Sequence, residues 1–221
     1  MFYGNDAKNF KFCFIRDFNN ENFSTGLVLC QCKPKLYYHL SIEKYNLKTQ
    51  NCHSNVFLLF SDSRISALLL LLNCVLHPPK VTKTYRPTVV NGQEDTIIFV
   101  TSNDDAKDKL HELNKKYHQL GIPTTAKLVF FGGPSELSGT YRVYFEEFYY
   151  SVTSARRAVE VYVKLSAVLA IKHSKISKLV WLFISNFFFG LKSVEKYASI
   201  DKLEEFIESW KATKSQNRHN D

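Results

Sequence analysis

The chain has 221 residues, 45% of them hydrophobic and 14% aromatic, a composition with enough apolar material for one large or two small globular domains. Lys and Arg number 29 against 21 Asp and Glu, a formal net charge of +8, which fits a nucleic-acid or anionic-membrane partner as well as a plain lysine-rich surface. The opening "MFYGNDAKNF" is too polar for a secretory leader, and the longest apolar run, Leu179 to Leu191, is too short to span a bilayer and contains Asn186. The five cysteines, an odd number, are all in the first third, which favours free thiols in a reducing compartment. Cys30, Cys32, Cys52 and His53 match no common zinc spacing, so no metal site is expected.

In chain order, "KFCFIRDF" is apolar and aromatic on alternate positions and reads as a strand, and "NNENFSTGLVLCQC" reads as a helix with a polar start. "KLYYHLSIEKYNL" and "SNVFLLF" read as strands. "SDSRISALLLLLNCVL" is a leucine-rich helix opened by capping residues and stopped by His77-Pro78-Pro79, and "KVTKTYRP" closes the set as a strand. "TVVNGQED", Thr88 to Asp95, reads as a linker. The pattern then recurs. "DTIIFVTS" is a strand, and Asn103-Asp104-Asp105 caps a helix carrying Leu110, Leu113, Tyr117 and Leu120 at helical spacing. "TAKLVFF" and "TYRVYFEEF" are strands, "SVTSARRAVEVYVKL" a helix, and "AVLAIKH" a closing strand. Each half reads β-α-β-β-α-β, the split βαβ order. Spacings agree as well: Phe14 to Phe57 and Phe99 to Arg142 are both 43 residues, and Phe14 to Phe60 and Phe99 to Phe145 are both 46. The expectation is an α+β chain of two such domains, residues 1–87 and 96–173, joined by residues 88–95. A helical hairpin near Gly190 follows over residues 174–214, with a disordered tail at 215–221. Val194, Tyr197, Ile200, Leu203, Phe206, Ile207 and Trp210 form the apolar face of its second helix.

At these residues the chain resembles the RNA-recognition-motif family, of ferredoxin-like fold. "CFIRDF" and "IFVTSN" look like the hexamer of its first strand, and "HSNVFLLF" and "SGTYRVYF" like the octamer of its third. Phe14 and Phe99 match the base-stacking position of the hexamer, Phe57 a stacking position of the octamer, and Gly139 its glycine. The departures are Ser54 for the glycine, Asn55, Thr140 and Arg142 at stacking positions, and about three extra residues around "FYY" in the second copy. The resemblance implies single-stranded RNA as the partner, with Phe14 and Phe57 side by side on the central strands. Residues 1–86 carry 11 Lys/Arg against 5 Asp/Glu, whereas residues 87–172 carry 10 of each, so phosphate attraction is expected mainly in the first half. The expected RNA-binding residues are Phe14, Arg16, Lys44, Phe57, Lys83, Arg86, Phe99 and Arg142.

Two divergent copies without a Ser/Arg-rich tail resemble splicing regulators of the transformer-2 type. That implies control of alternative, sex-specific pre-mRNA splicing in the nucleus, including male determination, with a spliceosomal protein as a possible partner of the C-terminal helices. The rival reading is a protein-interaction module on the same fold that has lost RNA binding. No nucleophile–base pair, carboxylate dyad or phosphate loop is present, so neither an enzyme, a cofactor nor a membrane partner is expected.

Overall fold

The computed structural model describes residues 11–14, 28–31, 60–123, 125–134, 136–146, 148–191 and 193–217. The chain divides into two compact units, Met1–Lys48 and Thr49–Asp221. In the first, β1 (Lys11–Phe14) pairs antiparallel with β2 (Val28–Gln31), Phe14 opposite Val28. Val28–Gln31 was expected inside a helix; its Val-Leu-Cys run satisfies its backbone by pairing with β1 instead.

The second unit begins with α1 (Asp62–Val75), whose Ile65, Leu69 and Leu72 are buried at helical spacing. Asp62 ties the start of this helix to its neighbours: it accepts hydrogen bonds from the Tyr141 hydroxyl at 2.8 Å and the Ala155 amide at 2.9 Å. The expected strand over "KVTKTYRP" is absent; Val81–Pro87 is irregular, its Val81 and Thr82 amides both bonded to the Tyr85 carbonyl. The expected linker is a helix, α2 (Val89–Thr96), opened by a reciprocal capping box between Thr88 and Asn91. It packs on α1 closely enough that a Cβ at Gly92 would fall 2.5 Å from Asn73 Oδ1. Asn73 Nδ2 in turn reaches Thr96 Oγ1 at 3.0 Å.

β3 (Ile98–Val100), α3 (Asn103–Gln119), β4 (Lys127–Gly132), β5 (Leu137–Phe145), β6 (Phe148–Val152) and α4 (Ala155–Val168) follow. The four strands form one sheet in the order β3-β4-β5-β6, with β3 and β4 parallel and the other pairs antiparallel. A split βαβ order expects the first strand beside the third; here β3 is an edge strand beside the second, with Phe99 opposite Phe130. The residues around "FYY", expected as an insertion before the helix, are the strand β6. "AVLAIKH" is not a strand: α4 runs through Val168 and ends with Ala170 at φ 50° and the Ile171 amide on the Ser166 carbonyl at 2.9 Å. That Schellman-type closure uses the backbone groups a strand would need.

One sheet face is closed by α1, α4 and α5 (Lys178–Phe183), which bury Leu128, Phe130, Tyr141 and Val143 with Val159, Tyr162 and Trp181. Because α1 shares this core, the helix expected in a first domain packs on the sheet of the expected second domain. The opposite face carries a smaller cluster, Ile98, Val100, Ala106, Val129 and Phe131, under α3. After α5 the helix widens into a π turn at Ile184–Phe188 and breaks at Gly190 (φ 65°), and α6 (Ala198–Asn217) follows. Helices therefore lie on both sides of Gly190. Of its apolar stripe, Tyr197, Ile200, Leu203 and Ile207 pack on the core, while Val194, Phe206 and Trp210 are exposed.

Candidate nucleic-acid interface

Strand alternation places Val129, Phe131, Arg142, Tyr144, Tyr149 and Ser151 on one face of the sheet. α3 covers the β3 and β4 part of that face, and β5 and β6 extend beyond it. Arg142 lies between two rings, its guanidinium carbon 4.6 Å from the centre of Phe131 and 4.5 Å from that of Tyr149. Its Nη1 donates to Asn103 Oδ1 at 2.7 Å and to the Tyr144 hydroxyl at 3.2 Å. Tyr144 and Tyr149 lie 5.2 Å apart across the β5–β6 pair, tilted by 34°. Tyr149 is 52% exposed and Phe148, at the hairpin turn, is exposed as well. The result is a strip of two tyrosines with a fixed cation on an open sheet face. Rings and a guanidinium plane are the side chains on which unpaired bases stack.

The expected site residues are scattered relative to this strip. Arg142 is in it. Phe99 is on the opposite face, half-buried and edge-on to Phe130 at 6.3 Å, so the two are separated by the sheet. Lys83 and Arg86 are exposed in the irregular Val81–Pro87 segment. Phe14 lies in β1, while Arg16, Lys44 and Phe57 lie outside the described residues. Tyr144 and Tyr149 were missed. The signal for them was the alternation in "FYYSV", which continues the β5 pattern after a two-residue turn with Glu146 at φ 55°.

A second polar centre is enclosed. Asp95 and Lys127 form an ion pair whose side chains are 0% and 3% exposed. Tyr117 donates to the same carboxylate, as do the Ser177 hydroxyl and, at 3.0 Å, the Ser177 amide. Burial by itself would raise the Asp95 pKa. The Lys127 charge and the hydrogen bonds from Lys127, Ser174 and Ser177 outweigh it and hold the carboxyl below its usual range. The Tyr117 hydroxyl is pushed up by burial and by the Asp95 charge. This network joins α2, α3, β4 and the approach to α5. Among the described residues no group of three or more His, Cys, Asp or Glu side chains is placed to hold a metal, and no helix is long and apolar enough to cross a membrane.

No family model matches this chain, and no curated protein or solved structure gives a significant match to it.

Proposed function

We propose that the protein binds single-stranded RNA, using the open strip of β5 and β6 as a stacking surface. The observation that carries this reading is the exposed Tyr149 ring beside Tyr144, with Arg142 held between Tyr149 and Phe131 on the same sheet face. The net charge of +8 supports it, since phosphate attraction supplies most sequence-independent affinity. Lys83 and Arg86 are exposed cations that add to that attraction. A role in nuclear pre-mRNA splicing is the finer form of the proposal and is supported by the resemblance of "CFIRDF", "IFVTSN" and "SGTYRVYF" to the RNA-recognition motif.

The test is fluorescence anisotropy of labelled single-stranded RNA pools with the full chain, at low and at physiological salt. Tyr149→Ala should weaken binding by about 1–3 kcal/mol, the worth of one stacked base. No RNA binding at either salt, or an unchanged affinity in Tyr149→Ala, overturns the reading.

The exposed Phe206 and Trp210 on α6 favour a second reading, a protein-interaction module. On that reading Phe206→Ser abolishes capture of a protein partner, and no affinity for single-stranded RNA is measured.

A further inference from the structure

Arg142 stands in β5, between a ring from each neighbouring strand: Phe131 of β4 at 4.6 Å and Tyr149 of β6 at 4.5 Å from its guanidinium carbon. With both rings at contact distance, a base cannot be laid on the guanidinium without displacing one of them. The cation therefore does not serve as a stacking plane, and what it offers a ligand is its edge. Nη1 is already used, by Asn103 Oδ1 and the Tyr144 hydroxyl. Nε is enclosed and has no hydrogen-bond partner. Nη2 has no partner either and is not enclosed, so it reaches the surface. Among the described residues no carboxylate bonds this guanidinium, since Asp104 pairs with Lys107 and Asp105 with Lys109.

A guanidinium carries its five N–H donors in a fixed fork, and Nε and Nη2 share the edge on which two oxygens of one anion bind side by side. In Arg142 that edge is the unsatisfied one. Nη2 offers the first contact, and Nε is a buried donor whose missing hydrogen bond is costly until something accepts it. The group is also held in place before any ligand arrives, by two rings, Asn103 and Tyr144. An anion that meets it orders little further side chain, which favours binding. The neighbours choose between anions. Tyr149 and Phe148, 52% and 45% exposed, lie beside the edge on β6. A nucleic-acid strand brings a phosphate and a ring together at every residue, whereas an acidic peptide brings carboxylates and no ring to lay on Tyr149.

We propose that Arg142 binds one backbone phosphate of a single strand through its Nη2–Nε edge, while the base beside that phosphate lies on the exposed Tyr149 ring. This rests on the RNA-binding reading of the β5–β6 strip and deepens it by assigning the cation to the phosphate instead of a base. A diester phosphate within a strand and free inorganic phosphate present similar oxygens to the edge. The strand phosphate is the one proposed, because only a strand also fills the adjoining ring.

The experiment follows the anisotropy of labelled oligouridylate without terminal phosphates, bound by the full chain over a series of salt concentrations. For a single strand, each phosphate contact contributes about 0.7 to the slope of log affinity against log salt. Arg142→Gln should flatten the slope by about that amount and weaken binding roughly ten- to a hundredfold at physiological salt. Arg142→Lys, which keeps a charge, should keep the slope. Tyr149→Ala should weaken binding with the slope unchanged, since it removes a ring and no charge. An unchanged slope in Arg142→Gln, whatever the loss of affinity, makes Arg142 a support for Tyr149 alone; it overturns the proposal and leaves the RNA reading standing. A slope flattened equally by Arg142→Lys traces the loss to disturbed packing and overturns the proposal in the same way. Displacement of the strand by inorganic phosphate at matched ionic strength assigns the edge to the free ion, which also overturns it. Binding of labelled oligoglutamate but not oligouridylate, lost in Arg142→Gln, makes the partner an acidic protein and removes both the proposal and the RNA reading. A parent chain that binds neither probe removes both as well.

Discussion

The two faces of the four-stranded sheet are closed in different ways. Under α1, α4 and α5, Leu128, Phe130, Tyr141 and Val143 enter a continuous apolar core with three helices on it. Under α3 there is one helix, a five-residue buried cluster and, at the end of β4, a buried lysine. β4 shows both within one strand, since Leu128 and Phe130 serve the first face and Lys127, Val129 and Phe131 the second. On the first face α4 packs along β4, β5 and β6, whereas on the second α3 packs on β3. Phe148 and Tyr149 are exposed on the β5–β6 strip that α3 leaves open.

The sharpest way to break the comparison is at the buried charge of the thinner face. Asp95→Ala leaves Lys127 enclosed without its counter-ion and should cost about 3–5 kcal/mol in chemical denaturation. Asp95→Asn combined with Lys127→Met removes both charges and should recover much of that loss. If the double variant is no more stable than Asp95→Ala, the pair is not what holds this end of the sheet.

The thicker face has its own titrating group. His173 lies against Tyr162 and Trp181, and its pKa is lowered from 6.5 to about 4 by burial first and the Lys178 charge second. A lowered pKa means the unfolded chain binds a proton that the folded chain refuses as pH falls through this range. Stability should therefore fall by about 3 kcal/mol between pH 6.5 and pH 4. Asp95 and Glu160 also have lowered pKa values, and their contributions are lost only as pH falls below the ordinary carboxylate range; Glu204, raised by burial and by Asp201 and Glu208, works in the opposite direction above that range, so His173 is the group that lowers stability in the upper part of the window. His173→Asn should flatten the slope between pH 6.5 and 5; a slope unchanged in that variant would place the titration elsewhere.

The smallest expected effect concerns the open strip. Tyr149 is about half exposed and belongs to neither buried cluster, so Tyr149→Ala should change folding stability by less than about 1 kcal/mol. On the proposed RNA-binding role, its RNA affinity should fall by the larger amount given above. A loss of several kcal/mol in thermal or urea unfolding would mark the ring as structural and remove it as a stacking surface.

Some of this was legible in the sequence. Helix α1 follows from its leucine run and the prolines after it, although the side chain of Ser61 at its start makes no capping hydrogen bond; α3 follows from Asp104 and Asp105 in its first turn and the spacing of Leu110, Leu113 and Tyr117, with Ser102 rather than Asn103 as its cap; the break near Gly190 follows from the glycine itself. These are local signals, fixed by propensity and capping within one or two turns. The role of residues 88–95 was less visible. "TVVNGQED" has turn-forming residues, yet Thr88 and Asn91 complete a capping box and Gly92 admits α1 at a distance only a glycine tolerates.

Strand order and face were decided by the tertiary structure alone. An alternating pattern says that Phe99 and Arg142 each point out of a sheet, but not that they point to opposite sides of it. The equal 43-residue spacings carried no information on which strands pair. Likewise the sequence determined that Lys127 exists beside an apolar run, while only the fold brought Asp95, Tyr117 and Ser177 to it from 32, 10 and 50 positions away. Contacts between distant positions depend on which packing buries the most apolar surface while pairing every enclosed charge, and no local window of sequence contains that competition.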